Sequence, residues 1–207
     1  MPMLTLYTFT IFLSAALLFL VQPMFGRMLL PLLGSNPAVW NTVLVGFQAG
    51  LLAGYGYAHL SSTWLGVRRQ AGLHLVLLAL PFLVLPVAVP AGWAPPPSGS
   101  PLPWLVMTML ASVGLPYFVV STSGPLLQRW FAGTGHSAAG DPYFLYAASN
   151  GGSLLALLGY PLLVEPYLGL ATQSRLWAAG YGLLVLLTAL CALSMWRPSR
   201  GVPRPAS

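Results

Sequence analysis

The sequence has almost no acidic side chains. Of its 207 residues, Asp141 and Glu165 alone carry a carboxylate, and all charged residues together make up 5%. A soluble domain carries about 25% charged residues, so this composition excludes an ordinary soluble domain. Lysine is absent, and the net charge of +6 comes from arginines that form no basic run interleaved with aromatics. Nucleic-acid binding is therefore not expected.

Cysteine is nearly absent as well. Cys191 is the single one, which excludes an intrachain disulfide and a thiolate metal site. The histidines have no ligand spacing: His59 and His136 are predicted at cytoplasmic helix ends, and His74 opens the third predicted helix. No carboxylate cluster accompanies them, and no serine lies in a strand-turn-helix nucleophile motif. We expect no metal, no cofactor and no catalytic residue.

Long uncharged stretches dominate what is present. Hydrophobic residues make up 57% of the chain, and the mean hydropathy is +0.79. No charged side chain occurs in residues 1–26, 28–67, 70–128, 142–164 or 176–196. A helix needs about 20 apolar residues to cross a bilayer core. The sequence therefore predicts an all-α integral membrane protein with a single transmembrane domain over residues 1–197.

Breaks rich in proline, glycine and arginine divide this domain into a bundle of six helices. The predicted spans are 4–25, 38–60, 73–90, 104–127, 143–164 and 174–196. The first is expected to be a retained helix, because it lacks a basic n-region and a cleavage site. The stretch "PAGWAPPPSGSPLP" reads as a polyproline-like loop, and residues 198–207 as a disordered cytoplasmic tail.

The arginines predict the orientation through the positive-inside rule. With the N-terminus in the cytoplasm, the inside segments hold these six: Arg68, Arg69, Arg129, Arg197, Arg200 and Arg204. The outside loops then hold only Arg27 and Arg175. Both termini are therefore predicted to be cytoplasmic, in a cell inner membrane. Arg68, Arg69 and Arg129 are expected to meet anionic lipid or a soluble partner.

Glu165 lies in "YPLLVEP", between two prolines at the end of the fifth predicted helix. Placing a carboxylate at a water-facing helix end costs much less free energy than placing one at the bilayer centre. One interpretation is an interfacial anchor, or an ion pair with Arg27 or Arg175 in a non-cytoplasmic charge cluster. The other is a proton- or ion-coupling site, although such residues usually lie deeper.

Small residues recur at four-residue spacing on the second and fifth predicted helices: Gly46, Gly50 and Gly54, and then Ala148, Gly152 and Ala156. Such a stripe lets another backbone approach closely, which drives helix association in lipid. We expect both stripes to be buried against other helices or against each other, and to carry assembly.

Amide side chains also fall inside the predicted spans: Gln22, Asn41, Gln48 and Asn150. Hydrocarbon cannot satisfy them, so they are expected either to bond between helices or to line a cavity for a small solute. The stretch Gly114-Leu-Pro116 and residues 119–125 would mark a broken helix, as transporters use at binding sites, or a tolerated kink.

Four stretches in order resemble the membrane region of the spermidine synthase-like membrane proteins, the fused major-facilitator/spermidine synthase family. They are "SAALLFLVQPMFGRMLLPLLGSNPAVWNT" (14–42), "FQAGLLAGYGYAHL" (47–60), "VGLPYFVVSTSGPLLQRWF" (113–131) and "DPYFLYAASNGGSLLALLGYPLLVEP" (141–166). The resemblance implies a partner domain of aminopropyltransferase type. This chain contains no glycine-rich strand-to-helix turn for its cofactor. Aminopropyl transfer by the chain alone is therefore not expected.

Six helices with both ends inside also resemble one half of a major-facilitator fold. The resemblance implies a membrane module or subunit that scaffolds a partner, such as a soluble aminopropyltransferase-like protein, or binds a small molecule. One alternative is a polyamine-like transporter that works as a dimer or a paired half. A second is an accessory subunit of a larger membrane complex. The lipid bilayer and a second copy or another membrane subunit are the expected partners.

Overall fold

The computed structural model describes residues 3–134 and 136–196, apart from the side chain of Trp196. All regular structure in this part of the chain is helical. The longer helices are α1 (Met3–Leu33), α2 (Pro37–Trp64), α3 (Gly66–Ala79), α4 (Leu102–Ala132), α5 (Tyr143–Tyr167) and α6 (Leu170–Trp196). The prediction of an all-α chain is confirmed. The predicted tail, 198–207, lies outside the described residues, as do Arg197, Arg200 and Arg204.

Four of these helices, α1, α4, α5 and α6, are long and apolar enough to cross a membrane. α2 has 28 residues, but Asn41, Gln48 and His59 lower its apolar content. α3 has 14 residues, fewer than the ~20 that a bilayer core requires. The multi-pass membrane class therefore agrees with the structure. Six crossings and the orientation remain predictions.

The third predicted span, 73–90, is wrong as a helix. α3 begins at Gly66 and ends at Ala79, and a single 3₁₀ turn (Leu80–Leu83) follows it. Residues 84–101 then contain no helix or strand. Pro81 lies in that 3₁₀ turn and lacks the N–H that a further α-helical turn would use, and Pro86 and Pro90 lack theirs as well. His74 consequently lies within α3 and does not open it.

α1 is longer than predicted and changes the setting of Arg27. The helix continues through Pro23 and Pro31 to Leu33, so Arg27 projects from a helix and not from a loop. The chain then turns at once into α2, because the Asn36 side-chain oxygen accepts the Ala38 N–H at 2.8 Å and Pro37 occupies the first turn. Asparagine before proline is a strong helix-start signal.

α4 is continuous, so the broken-helix interpretation of residues 114–125 is wrong. A π turn, Leu110–Gly114, precedes Pro116, and the helix then runs through Pro125 to Ala132. A π turn widens the helix locally and absorbs an irregularity in the ladder without ending it. The proline therefore marks a deformation within a span.

α1 lies at the centre and packs mainly against α5, α6 and α4. It runs parallel to α5, since Phe12 faces Gly152 and, further along, Arg27 reaches Glu165. α6 runs the opposite way, because the Tyr7 hydroxyl near the start of α1 donates to the Cys191 carbonyl near the end of α6.

α2 and α4 are parallel neighbours. Gly46 faces Met109, and two turns later Gly54 faces Ser121. α3 runs against α4, because Gln70 near its start contacts Trp130 near the end of α4. Consecutive helices therefore alternate in direction, as a chain that repeatedly crosses a bilayer requires.

The charged residues separate between the two ends of the bundle. Arg68, Arg69 and Arg129 lie exposed where α2 and α4 end and α3 begins, and we call this the basic end. Arg27, Glu165 and Arg175 lie at the opposite end, which we call the ion-pair end. Exposed aromatic side chains flank both ends: Trp64 and Tyr143 at the basic end, and Tyr167 at the other. Tryptophan and tyrosine at helix ends are typical of membrane interfaces.

Candidate functional site: a groove at the ion-pair end

Arg27 on α1 and Glu165 on α5 form an ion pair. The Arg27 Nε atom lies 3.5 Å from the Glu165 Oε1 atom, and Arg27 Nη1 donates to the Glu165 backbone carbonyl at 3.4 Å. Arg175, the third member of the predicted charge cluster, lies exposed on α6 beside a different groove that Val87 and Ser174 line. The structure therefore joins two of the three predicted charges.

A π turn in α5 presents Glu165 to this pair. Residues Tyr160–Val164 form the turn, and the Glu165 N–H donates back to the Tyr160 carbonyl. Pro161 and Pro166 lack N–H donors, so a regular ladder cannot pass through "YPLLVEP" unchanged. π turns of this kind are frequent at functional sites. The unusual stretch thus shapes the wall from which the carboxylate projects.

The ion pair stands in a groove between α1, α2 and α5, which we call the ion-pair groove. Its volume is about 490 Å³, within the range of roughly 300–1,000 Å³ typical of small-molecule sites. Its walls are mostly apolar and aromatic: Phe19, Gln22, Pro23, Arg27, Leu30, Trp40, Val43, Leu44, Phe47, Leu157, Tyr160, Pro161 and Glu165. Charge and apolar surface therefore adjoin in one concave site.

Gln22 is the one predicted amide that lines this groove. Its Nε2 atom donates to the Leu18 carbonyl at 3.2 Å and lies 3.5 Å from the Tyr117 hydroxyl oxygen on α4. Asn41, Gln48 and Asn150 are exposed on the outer surface and do not line the groove. Their predicted place in a shared cavity or between the helices of this chain is therefore wrong, because each points outward from its helix.

Both small-residue stripes face helices of the same chain, and they do not face each other. A methyl group at Gly46 would lie 2.6 Å from Met109 Cε, and one at Gly50 would lie 2.9 Å from the Tyr117 ring. One at Gly54 would collide with Ser121 on the same helix, α4.

The α5 stripe packs against α1. Gly152 and Ala156 are buried and Ala148 is half-buried, and a methyl group at Gly152 would collide with the Phe12 backbone carbonyl. Gly54, Gly152 and Ala156 are therefore buried within the chain, whereas Gly46 and Gly50 are half-buried and also line a groove of about 500 Å³ between α2 and α4. Their expected role in assembly with another subunit stays a prediction.

The histidines do not form a metal site with other described side chains. Among the described residues, no group of three or more His, Cys, Asp or Glu side chains lies close enough to hold an ion. His59 lies within α2 and is exposed, which differs from the predicted position at a helix end.

The sequence reasoning missed a buried polar cluster near the basic end. It joins Tyr57 and Ser61 on α2 with Gln70 and His74 on α3. Each pair is spaced by four residues, which places both members on one helix face. That spacing was the available signal, but isolated polar residues on α2 and α3 gave no reason to join the two faces.

Comparison with known proteins identified no relative of this chain. The chain matches no protein-family model, no curated protein and no solved structure. The resemblance to spermidine synthase-like membrane proteins and to half of a major-facilitator fold therefore stays a prediction from the residues. The ion-pair groove is the feature of the described residues that points to a function.

Proposed function

We propose that this chain is a membrane-embedded binding module whose ion-pair groove takes a zwitterionic amphiphile. Such a ligand carries an ammonium and a phosphate on its head and an apolar tail. The observation that carries this proposal is the position of the Arg27–Glu165 pair in the wall of an apolar groove of about 490 Å³. The binding requires no catalytic group.

Charge complementarity selects the zwitterion. The pair is an oriented dipole, so a head group that lies antiparallel to it places its phosphate at Arg27 and its ammonium at Glu165. Arg27 has five N–H donors and Glu165 two acceptor oxygens, more than the contacts between the two side chains use. A simple cation would meet the repulsion of Arg27 as well as the attraction of Glu165. A polyamine-like substrate is therefore less well matched.

Stability alone does not explain the pair. The Arg27 and Glu165 side chains are 35% and 42% exposed, and ion pairs exposed to this extent contribute about 0–1 kcal/mol in water. A leucine or phenylalanine pair would hold α1 to α5 at least as well. Retaining one of two acidic residues in such a groove is better explained by recognition of a charged head group.

The first prediction concerns Glu165→Gln. This change removes the carboxylate charge but keeps the side-chain shape. The affinity for dioctanoyl-phosphatidylethanolamine is expected to fall about tenfold, or about 1.4 kcal/mol, because glutamine keeps an acceptor oxygen and the loss is near the lower end of the roughly 1.5–3 kcal/mol that a hydrogen bond to a charged group contributes. Titration of the purified chain in detergent, followed by tryptophan fluorescence from Trp40 or by native mass spectrometry, measures this.

The matched control is Arg175→Gln, which removes a charge at the same end but outside the groove. Its affinity for the same probe should be unchanged. Dioctanoyl-phosphatidylglycerol, which lacks the ammonium and is anionic, should bind the Glu165→Gln variant at least as tightly as the parent, because the carboxylate that repels it is gone. An equal loss for both lipids, or no loss for either, would contradict a zwitterion-selective groove.

We also propose that the module is the inner-membrane part of a spermidine synthase-like system, with both termini in the cytoplasm and without catalytic activity of its own. The four sequence blocks and the alternating helix directions support this. The exposed arginines of the basic end, Arg68, Arg69 and Arg129, would face anionic lipid or a soluble aminopropyltransferase-like partner. Co-purification from native membranes would reveal that partner.

A second candidate function, as a self-associating subunit, is favoured by the outer face of α5. In its most apolar stretch, 17% of the residues are buried, against 39–61% in the other three candidate spans. Tyr146, Asn150, Leu154, Leu158 and Leu162 recur at four-residue spacing on that face, and all are exposed. An amide in hydrocarbon needs a partner, and Asn150 of a second copy supplies one.

The second prediction tests this face. Asn150→Leu is expected to raise the dimer dissociation constant roughly 3- to 30-fold, because an interhelical amide bond contributes about 0.6–2 kcal/mol. Dilution-series energy transfer between labelled copies in liposomes measures it. Asn41→Leu serves as control, since Asn41 is exposed within the first two turns of α2, where water is near. A monomeric parent, or equal effects of both changes, would remove the dimer.

A further inference from the structure

Three buried polar side chains and the buried hydroxyl of half-buried Tyr57 meet near the basic end, and some of their atoms lack hydrogen-bond partners. Gln70 Nε2 and both ring nitrogens of His74 have no partner, and the Tyr57 and Ser61 hydroxyls lie close enough to interact only with each other. Ser61, Gln70 and His74 are almost completely buried, and His74 has no exposed surface. A buried polar atom without a partner is destabilising. Several such atoms in one region indicate that a bound molecule forms hydrogen bonds with them.

Neighbouring contacts show that these atoms face one region between α2, α3 and α4. The Tyr57 and His74 rings lie 6.2 Å apart between centroids, and the His74 and Trp130 rings 6.0 Å apart. The Trp130 indole N–H donates to Gln70 Oε1 at 2.7 Å. Because the indole is a donor only, it fixes the amide oxygen towards Trp130, and the buried amide nitrogen is left without a partner.

The chemistry of the cluster defines its ligand. The tyrosine and serine hydroxyls each donate and accept, the amide nitrogen donates, and a neutral imidazole offers one donor and one acceptor. The described side chains that form the cluster include no carboxylate, arginine or second histidine. An ion therefore has no counter-charge there. A small neutral molecule that both donates and accepts, namely water, matches every unpaired atom.

We propose that Tyr57, Ser61, Gln70 and His74 form a buried site for ordered water that joins α3 to α2 and α4. α3 needs such a bridge, because its buried face consists of Gln70, Ala71, His74 and Leu78 and is half polar. Direct apolar packing secures the other half of that face, and bound water, which typically makes about three hydrogen bonds, secures the polar half. The site is independent of the ion-pair groove, which lies at the other end of the bundle.

The test measures substitutions whose effect on the melting temperature depends on whether water is bound. If water is bound, Ser61→Ala and Tyr57→Phe remove hydrogen bonds and should each lower the melting temperature by roughly 2–8 °C. If the site is dry, the two hydroxyls meet only each other, so the double variant Tyr57→Phe/Ser61→Ala should keep or raise the melting temperature, whereas with bound water it should lower it. Ser62→Ala is the matched control, because Ser62 is equally buried but already donates to the Ala58 carbonyl at 2.6 Å, and it should have a smaller effect.

A second measurement detects the bound water directly. Radiolytic labelling in H₂¹⁸O of the full chain in nanodiscs generates hydroxyl radicals at bound water and should label His74. Tyr181 is as deeply buried, but its hydroxyl donates to the Leu78 carbonyl at 2.7 Å, so it should stay unlabelled. Labelling of His74 no higher than that of Tyr181, or an unchanged or higher melting temperature for Tyr57→Phe/Ser61→Ala, would overturn the proposal.

Discussion

Gly152→Ala is expected to destabilise the bundle by about 1–3 kcal/mol, the usual range for overpacking a tightly packed interface. A single methyl group at this position would collide with the backbone carbonyl of Phe12 and lie 3.3 Å from the Ala16 nitrogen on α1. Backbone atoms cannot rotate away as a side chain can, so α1 and α5 must move apart. Thermal unfolding in detergent should show a melting temperature several degrees below that of the parent.

Gly159→Ala on the same helix provides the control. No atom outside the local helix lies within 4 Å of the added methyl group, and alanine is favoured over glycine in a helix by about 1 kcal/mol. This variant should therefore equal or exceed the parent in stability. If Gly152→Ala were as stable as Gly159→Ala, the close approach of α1 and α5 would be refuted.

Composition and spacing predict much of this fold for a simple reason. Hydrocarbon-length runs without charge can be satisfied only as helices in a bilayer. Four such helices appear in the structure. The small-residue spacing at Gly46, Gly50 and Gly54 likewise reports a local property, a smooth helix face. It cannot identify which helix lies on that face, because every apolar span is an equally suitable neighbour by composition.

The third helix shows where periodicity alone misleads. Residues 73–90 are as apolar as a span should be, yet the helix ends at Ala79 and one 3₁₀ turn follows. Pro81 lies in the turn that ends α3, and Pro86 and Pro90 follow it, whereas Pro23 and Pro125 lie inside helices that continue. The difference is tertiary: neighbouring helices pack around α1 and α4 on several sides, and this packing offsets a missing backbone hydrogen bond.

Part of the candidate site was also predictable. The sparse charges at the outer helix ends suggested that Glu165 meets an arginine, and the structure places Arg27 there. The groove itself was not predictable, because it depends on the π turn at Tyr160–Val164 and on where Trp40 and Phe47 of α2 lie. Single-sequence reasoning gives no crossing angles, so it cannot give a cavity.

The largest expected effect on binding comes from reversing one charge of the pair. In the Arg27→Glu variant two carboxylates would stand side by side in an apolar groove, and the phosphate of the ligand would lose its only close cation in the groove wall. The affinity for dioctanoyl-phosphatidylethanolamine should fall about 100-fold, or about 2.7 kcal/mol, with a lower melting temperature from like-charge repulsion. The same titration as for Glu165→Gln measures this.

Exchanging both charges separates recognition from anchoring. The double variant Arg27→Glu/Glu165→Arg restores an ion pair between α1 and α5, so its melting temperature should return close to that of the parent. Its binding should stay weak, because the dipole is reversed while the phosphate remains fixed next to the apolar tail. If the double variant bound phosphatidylethanolamine as tightly as the parent, the order of the two charges would not matter. The pair would then be an anchor between two helices and not the recognition element of the groove.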